Sequence, residues 1–300
     1  MEDARARSPE GGARLSGVSD RRAATRAETA EDAAFLSGAA LTRLQLAAAS
    51  ADLPQPLWRA RLALEAAVAC AALAGRSEGA GALRDAVHLL RPGDRPGPAG
   101  EICLLWQGAV ARPISVAALG RVAPMLDAAR IARWLAPGRN GAAGNPVARA
   151  AGVLEAVLAE APRAETAALI LADAALARAM GWEHLVPLLA TGLAPRDLHC
   201  RGEALRLACH RAIPAPAGAA VQLAADLTRR TEALHRAAPK LRARGAEGAV
   251  ALFLDRDALA PAALSGLMSD RAARRFCDRL VALGVVRELT GRASFRLYGV

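Results

Sequence analysis

The stretch that decides the architecture is "SDRAARRFCDRLVALGVVRELTGRASFRLYGV", Ser269–Val300. Ser269 is a residue type that caps helix starts and Gly284 one that closes helix ends, so a helix is expected between them. Helical periodicity puts Ala273, Phe276, Leu280 and Leu283 on one face, Arg271, Arg275 and Asp278 on the other, and Arg274 on the flank. "VVREL" and "FRLYGV" are short alternating runs rich in β-branched and aromatic residues. "TGRAS" between them supplies Gly291 for a turn, so a hairpin is expected.

Immediately upstream, from Gly245, "AEGAVALFL" and "DALAPAALSGLM" read as two short helices. Three helices followed by a β-hairpin is the order of a winged helix-turn-helix, here residues 245–300. In that arrangement the start of the third helix enters the major groove and brings Ser269, Arg271, Arg274 and Arg275 near phosphates or base edges. Arg292 at the hairpin tip, with Arg296 beside it, is placed to reach a flanking phosphate or the minor groove. From Ser269 onward seven arginines face Asp270, Asp278 and Glu288, a net charge of +4 that suits a dense polyanion. The same fold also docks proteins, and a large helical body precedes it that is able to cover the third helix, so shape alone does not choose between partners.

Further out, helical periodicity dominates from Glu31. "EDAAFLSGAALTRLQLAAA" and "PLWRARLALEAAVACAALAG" each make one apolar face and are expected to pair as a hairpin across "ADLPQP". "RPGDRPGPAG" forbids helix continuation, and "APGRNGAAGNP" is the strongest internal punctuation. The expected organisation is a disordered tail over 1–30, a helical subdomain over 31–137, a linker over 138–145, a second helical subdomain over 146–244 ending in a long helix, and the winged helix over 245–300. The flanks of the linker are free to pack as one body. No fixed repeat period emerges. The fold class is therefore mainly α, a multi-helix body with a small C-terminal winged helix-turn-helix.

Composition agrees. Hydrophobic residues make up 53% and aromatics only 3%, so the core is built from Ala, Leu and Val, which favours closely packed helices. The formal charge of +10 suits a polyanionic partner. Lys240 is the sole lysine, however, and the arginine, alanine, glycine and proline bias has the look of a GC-rich genome, which weakens charge as an argument. No apolar run reaches the roughly 18 residues of a membrane span, and the first thirty residues have no signal-peptide stretch, so a cytoplasmic location without membrane contact is expected. Five scattered cysteines do not read as a disulfide framework.

"DRLVALGVVRELTGRASFRLYGV" resembles the C-terminal winged helix of Fic-type nucleotidyl-transferases and of several plasmid-borne bacterial proteins. With "EDAAFLSGAAL", "VHLLRPGDRPGPAG", "ADAALARAMGW" and "APKLRARGAEGAVALFL", the chain from Glu31 to Val300 is similar to a bacterial domain-of-unknown-function family. The resemblance implies a helical fold with a terminal winged helix and brings no activity. The Fic catalytic signature, "HPF" followed by a Gly-Asn-Gly-Arg run, is missing.

Other chemistry is weaker. His199, Cys200, Cys209 and His210 are zinc-ligand types, but Cys209 and His210 diverge by about 100° on a helix, so His199, Cys200 and Cys209 are poor metal candidates. Arg91, Asp94 and Arg95 lack the Lys-Ser/Thr ending and preceding strand of a phosphate loop. Glu155, Glu160, Glu165 and Asp173 lack the Glu-x-x-His pair of a bundle metal site, and His184 reads as structural. No catalytic residue and no cofactor are expected. The expected function is a non-enzymatic DNA-binding or regulatory protein, the alternative being an adaptor whose winged helix docks a protein partner or its own body; self-association stays open.

Overall fold

The computed structural model describes residues 29–90, 93–124, 126–136 and 145–300, and these are mainly helical. Of the expected tail and linker only Thr29, Ala30 and Asn145 fall within them, and Arg91 lies outside. The body contains α1 (Ala30–Ala48), α2 (Gln55–Leu73), α3 (Ala80–His88), α4 (Gly97–Val110), α5 (Val116–Val122) and α6 (Ala128–Leu135). After the linker come α7 (Pro146–Glu160), α8 (Glu165–Ala179), α9 (Leu189–Gly192), α10 (Gly202–Ala212) and α11 (Pro214–Ala237). The C-terminal part holds α12 (Ala246–Asp255), α13 (Asp270–Ala282), β1 (Arg287–Glu288) and β2 (Tyr298–Gly299).

Local chemistry sets several boundaries. The side-chain oxygens of Thr29, Ser115 and Asn145 accept the N–H groups of Asp32, Ala118 and Ala148 at 3.1, 3.1 and 2.8 Å, which satisfies donors left open at the starts of α1, α5 and α7. Pro214 separates α10 from α11, since it has no N–H to continue the ladder. Pro124 likewise falls between α5 and α6, so the long helical text from Ile114 to Leu135 becomes two short helices.

The body is organised around α8. Every residue from Ala167 to Ala177 is buried, so this helix has no solvent face, and its alanines let α7 lie close along it. Helices α2, α4, α6 and α9 contact it as well. One buried cluster runs from Leu41 to Val300, and elements from both sides of residues 138–145 contribute to it. Helix α1 does not take α2 as its main partner, contrary to expectation. Its buried face, Ala33, Ser37, Leu41 and Leu44, lies on α10 and α11 instead. Periodicity identifies which face of a helix is apolar but not which later helix will cover it.

In the C-terminal part, "DALAPAALSGLM" is not a regular helix. Pro261 holds Ala260 extended, Leu259 pairs with Tyr298 in an isolated β-bridge, and only a 3-10 turn over Pro261–Leu264 precedes α13. β1 and β2 pair antiparallel, with Arg287 opposite Gly299 and Glu288 opposite Tyr298. Gly284 and Gly291 have φ of +70° and +65°, the left-handed conformation that ends α13 and turns the hairpin.

A buried ion cluster joins this part to the body. Asp257, 5% exposed, is held by Arg61 from α2, with Nε at 2.5 Å, and by both Nε and Nη2 of Arg84 from α3, at 2.6 and 3.1 Å. Arg61 also donates to the main-chain oxygens of Asp257 and Val300 at 3.3 and 2.9 Å. Burial lowers the Arg61 pKa despite Asp257; for Arg84 burial also acts downward, but the Asp257 carboxylate outweighs it and the net direction is up. A side chain on Gly299 would meet the Asp257 carbonyl at 2.6 Å, so glycine permits this close approach.

Candidate nucleic-acid interface

α13 presents two opposed faces. Ala273, Phe276, Cys277 and Leu280 are buried, and Arg271, Arg274, Arg275 and Arg279 are exposed. The helical body does not cover the arginine face. Ser269 has the extended backbone of a cap residue, but its hydroxyl makes no cap hydrogen bond. Arg274 lies 3.9 Å from Asp270, and Asp278 is drawn toward the hairpin by Arg296 at 3.9 Å and the Tyr298 hydroxyl at 3.4 Å.

Arg292 behaves differently from the expectation. It turns back onto the body, where its guanidinium meets Asp85 of α3 at 2.6 Å and donates to the Phe295 carbonyl at 3.3 Å. The turn at Gly291 and the left-handed Phe295, with φ of +54°, fold the tip in this direction. Phe295 itself is 70% exposed, an unusual conformation and position for a bulky apolar residue. Arg296 is exposed and its Nε donates to the Arg292 carbonyl at 2.9 Å, which closes the loop on itself.

The sequence reading missed three cations beside this face. An open groove of about 840 Å³ runs between Pro239–Ala243 and the flank of α13, and Lys240, Arg242, Arg275 and Arg279 line it. Two signals were available: the i, i+4, i+8 row of Arg271, Arg275 and Arg279, and the alternation in "KLRAR" just before α12. A wider cleft of about 1030 Å³ lies near α9, α10 and α11; its polar rim mixes Glu65, Asp197, Arg196 and Arg211 on an otherwise largely apolar lining.

The remaining candidates are structural. Among the described residues no group of three or more His, Cys, Asp or Glu side chains is placed to hold a metal. Cys209 is buried, and burial pushes its thiol up to about 12, while His199 is exposed and Cys200 only partly so. His210 points elsewhere, to the Ser37 hydroxyl at 2.7 Å, and that hydroxyl donates to the Ala34 carbonyl, so the pair joins α10 to α1 rather than forming a nucleophile. Glu160 pairs with Arg130 and Arg133, and Glu155 accepts the Gly202 N–H. Asp173 is wholly buried and accepts the N–H groups of Leu188 and Leu189 at 3.2 and 3.0 Å, capping the turn that leads into α9. Burial lowers the His184 pKa, with Arg59 adding to it. Among the described residues no helix is long and apolar enough to cross a membrane.

No curated protein and no solved structure matches the chain. A family model described as "Protein of unknown function (DUF1403)" matches residues 11–300. With the match running over nearly the whole chain, the protein belongs to the DUF1403 family.

Proposed function

We propose that residues 245–300 form a winged helix and that the protein binds duplex DNA through α13, as a non-enzymatic regulatory protein. The order of elements supports the shape: α12, the extended residue Leu259, the turn at Pro261, α13, then β1 and β2, with Leu259 and Glu288 both pairing with Tyr298. The observation that carries the function is the uncovered row of Arg271, Arg274, Arg275 and Arg279 opposite a buried face. It offers positive charge on the helix that such folds insert into the major groove. Of the two hairpin arginines expected to reach a flanking phosphate, Arg292 is engaged by Asp85, while Arg296 is exposed with a longer, 3.9 Å contact to Asp278.

Fluorescence anisotropy with a labelled duplex tests this reading. Changing Arg271, Arg274 and Arg275 together to alanine is expected to weaken binding by at least about 10-fold, since each arginine that no longer meets a base edge costs about 1–3 kcal/mol. Wild-type affinity is expected to fall steeply with salt. Affinity indifferent to both changes would count against DNA binding. A second reading, the adaptor, has its own observation: Phe35 and Leu46 are 76% and 72% exposed. Eleven positions apart, they share one side of α1. If this side docks a protein or a second copy, Phe35→Ser with Leu46→Ser is expected to abolish that association in sedimentation while leaving duplex binding intact.

A further inference from the structure

We infer that the groove between Pro239–Ala243 and α13 is a second site, one that grips the sugar-phosphate backbone of duplex DNA alongside the helix that reads it. This deepens the proposed function and rests on it for the identity of the ligand. Four cations, Lys240, Arg242, Arg275 and Arg279, line the groove with no acidic residue among them, and Leu241, Ala243, Ala272 and Phe276 supply its apolar part.

What sets these cations apart is that they share one concavity; several other exposed arginines, such as Arg112 and Arg163, also lack a carboxylate partner among the described residues but do not line this groove. Arg130, Arg133, Arg206, Arg229 and Arg230 all pair with carboxylates. Lys240, Arg242, Arg275 and Arg279 pair with none among the described residues, although they surround one concavity where their charges repel. Such a cluster is stabilised by an anion from outside.

Its shape favours a polymer over a single ion. One wall is the segment that leaves the 3-10 turn Ala238–Lys240 through the extended Leu241; Leu241 and Ala243 pack against the core, and Lys240 and Arg242 are exposed. The other wall is a helix that sets Arg275 and Arg279 one turn, about 6 Å, apart. Cations from two walls of one open groove, beside a helix whose arginines continue past it, suit a linear polyanion. The first wall is also fixed in place: Gly245, at φ of +81°, starts α12 at a point where any side chain would meet the Leu267 carbonyl at 2.7 Å. The cations therefore project from an anchored segment. Arg271 and Arg274 continue along α13 from the same groove, so one duplex can engage both.

The experiment uses the full chain and a duplex of arbitrary sequence across a salt series. Lys240→Ala with Arg242→Ala is expected to flatten the slope of log affinity against log salt by about 1.8, at about 0.9 per phosphate. Between roughly 50 and 200 mM salt the fall in affinity then shrinks by about 12-fold. Lys240→Arg with Arg242→Lys is expected to keep the wild-type slope, and Arg130→Ala with Arg133→Ala to leave it unchanged. A wild-type slope in the double alanine variant overturns the groove, even if Arg271→Ala with Arg274→Ala weakens binding and so upholds the reading helix. The converse pattern upholds the groove and removes the reading helix. A wild-type protein that binds anionic vesicles and not the duplex overturns both.

Discussion

Asp257→Ala is expected to lower the free energy of unfolding by about 3–5 kcal/mol, because it strands two buried guanidinium groups at once. Arg61 and Arg84 are 18% and 14% exposed at the side chain, and among the described residues neither forms an ion pair with any other carboxylate, Glu65 acting on both only from a distance. Urea unfolding followed by circular dichroism measures the loss. A triple change of Asp257 to Leu and of Arg61 and Arg84 to Met is expected to recover most of it, since a well-packed apolar cluster replaces an ion cluster without orphaned charge. If the single variant unfolds like wild type, the cluster does not hold the C-terminal part to the body. Arg292→Ala is the contrast: its partnership with Asp85 is half-exposed, and its removal is expected to cost no more than about 1 kcal/mol.

A second large effect is tied to pH. Burial pushes the Asp173 carboxyl up to about 7, against the opposing influence of the Leu189, Leu188 and Ala190 N–H groups. The sign follows from linkage. With a folded pKa raised above the unfolded 3.8, the native state holds the proton that the unfolded state releases. This stabilisation is complete below about pH 4 and is lost as pH rises toward about 7, an effect of roughly 4 kcal/mol. Asp173→Asn does not titrate. The stability of this variant relative to wild type is therefore expected to climb by that amount between about pH 4 and pH 8 in paired urea titrations. A pH-independent difference would show that the carboxylate is ionised throughout, held by its backbone donors.

Much of this fold is legible locally. Gly284 and Gly291 mark the end of α13 and the hairpin turn because left-handed residues are rare outside glycine, and the arginine face of α13 follows from its apolar face. The rest depends on partners that the local sequence does not name. Asp257 looks like one more loop carboxylate, yet its ligands Arg84 and Arg61 lie 173 and 196 positions away. Arg292 has the same problem, with Asp85 lying 207 positions distant. Pro261 is visible in the sequence, and its effect on the preceding residue argues against a helix running through it. Lys240 and Arg242 do not stand out in the sequence because basic residues are spread along the whole chain; only the fold brings them beside Arg275 and Arg279 in one groove.

The distance along the chain between Arg61 and Asp257 also has a consequence for how the molecule is made. At about 5–20 residues per second, a ribosome adds the intervening 196 residues in about 10–40 s. Through that interval α2 and α3 carry two guanidinium groups that must stay hydrated, and for most of it α1 lacks α10 and α11, the helices that will cover it. The N-terminal helices therefore cannot close into a finished body as they emerge. Synthesis leaves the N-terminal helices open, and the last hundred or so residues, α10 and α11 and then the C-terminal part with Asp257, are what cover them.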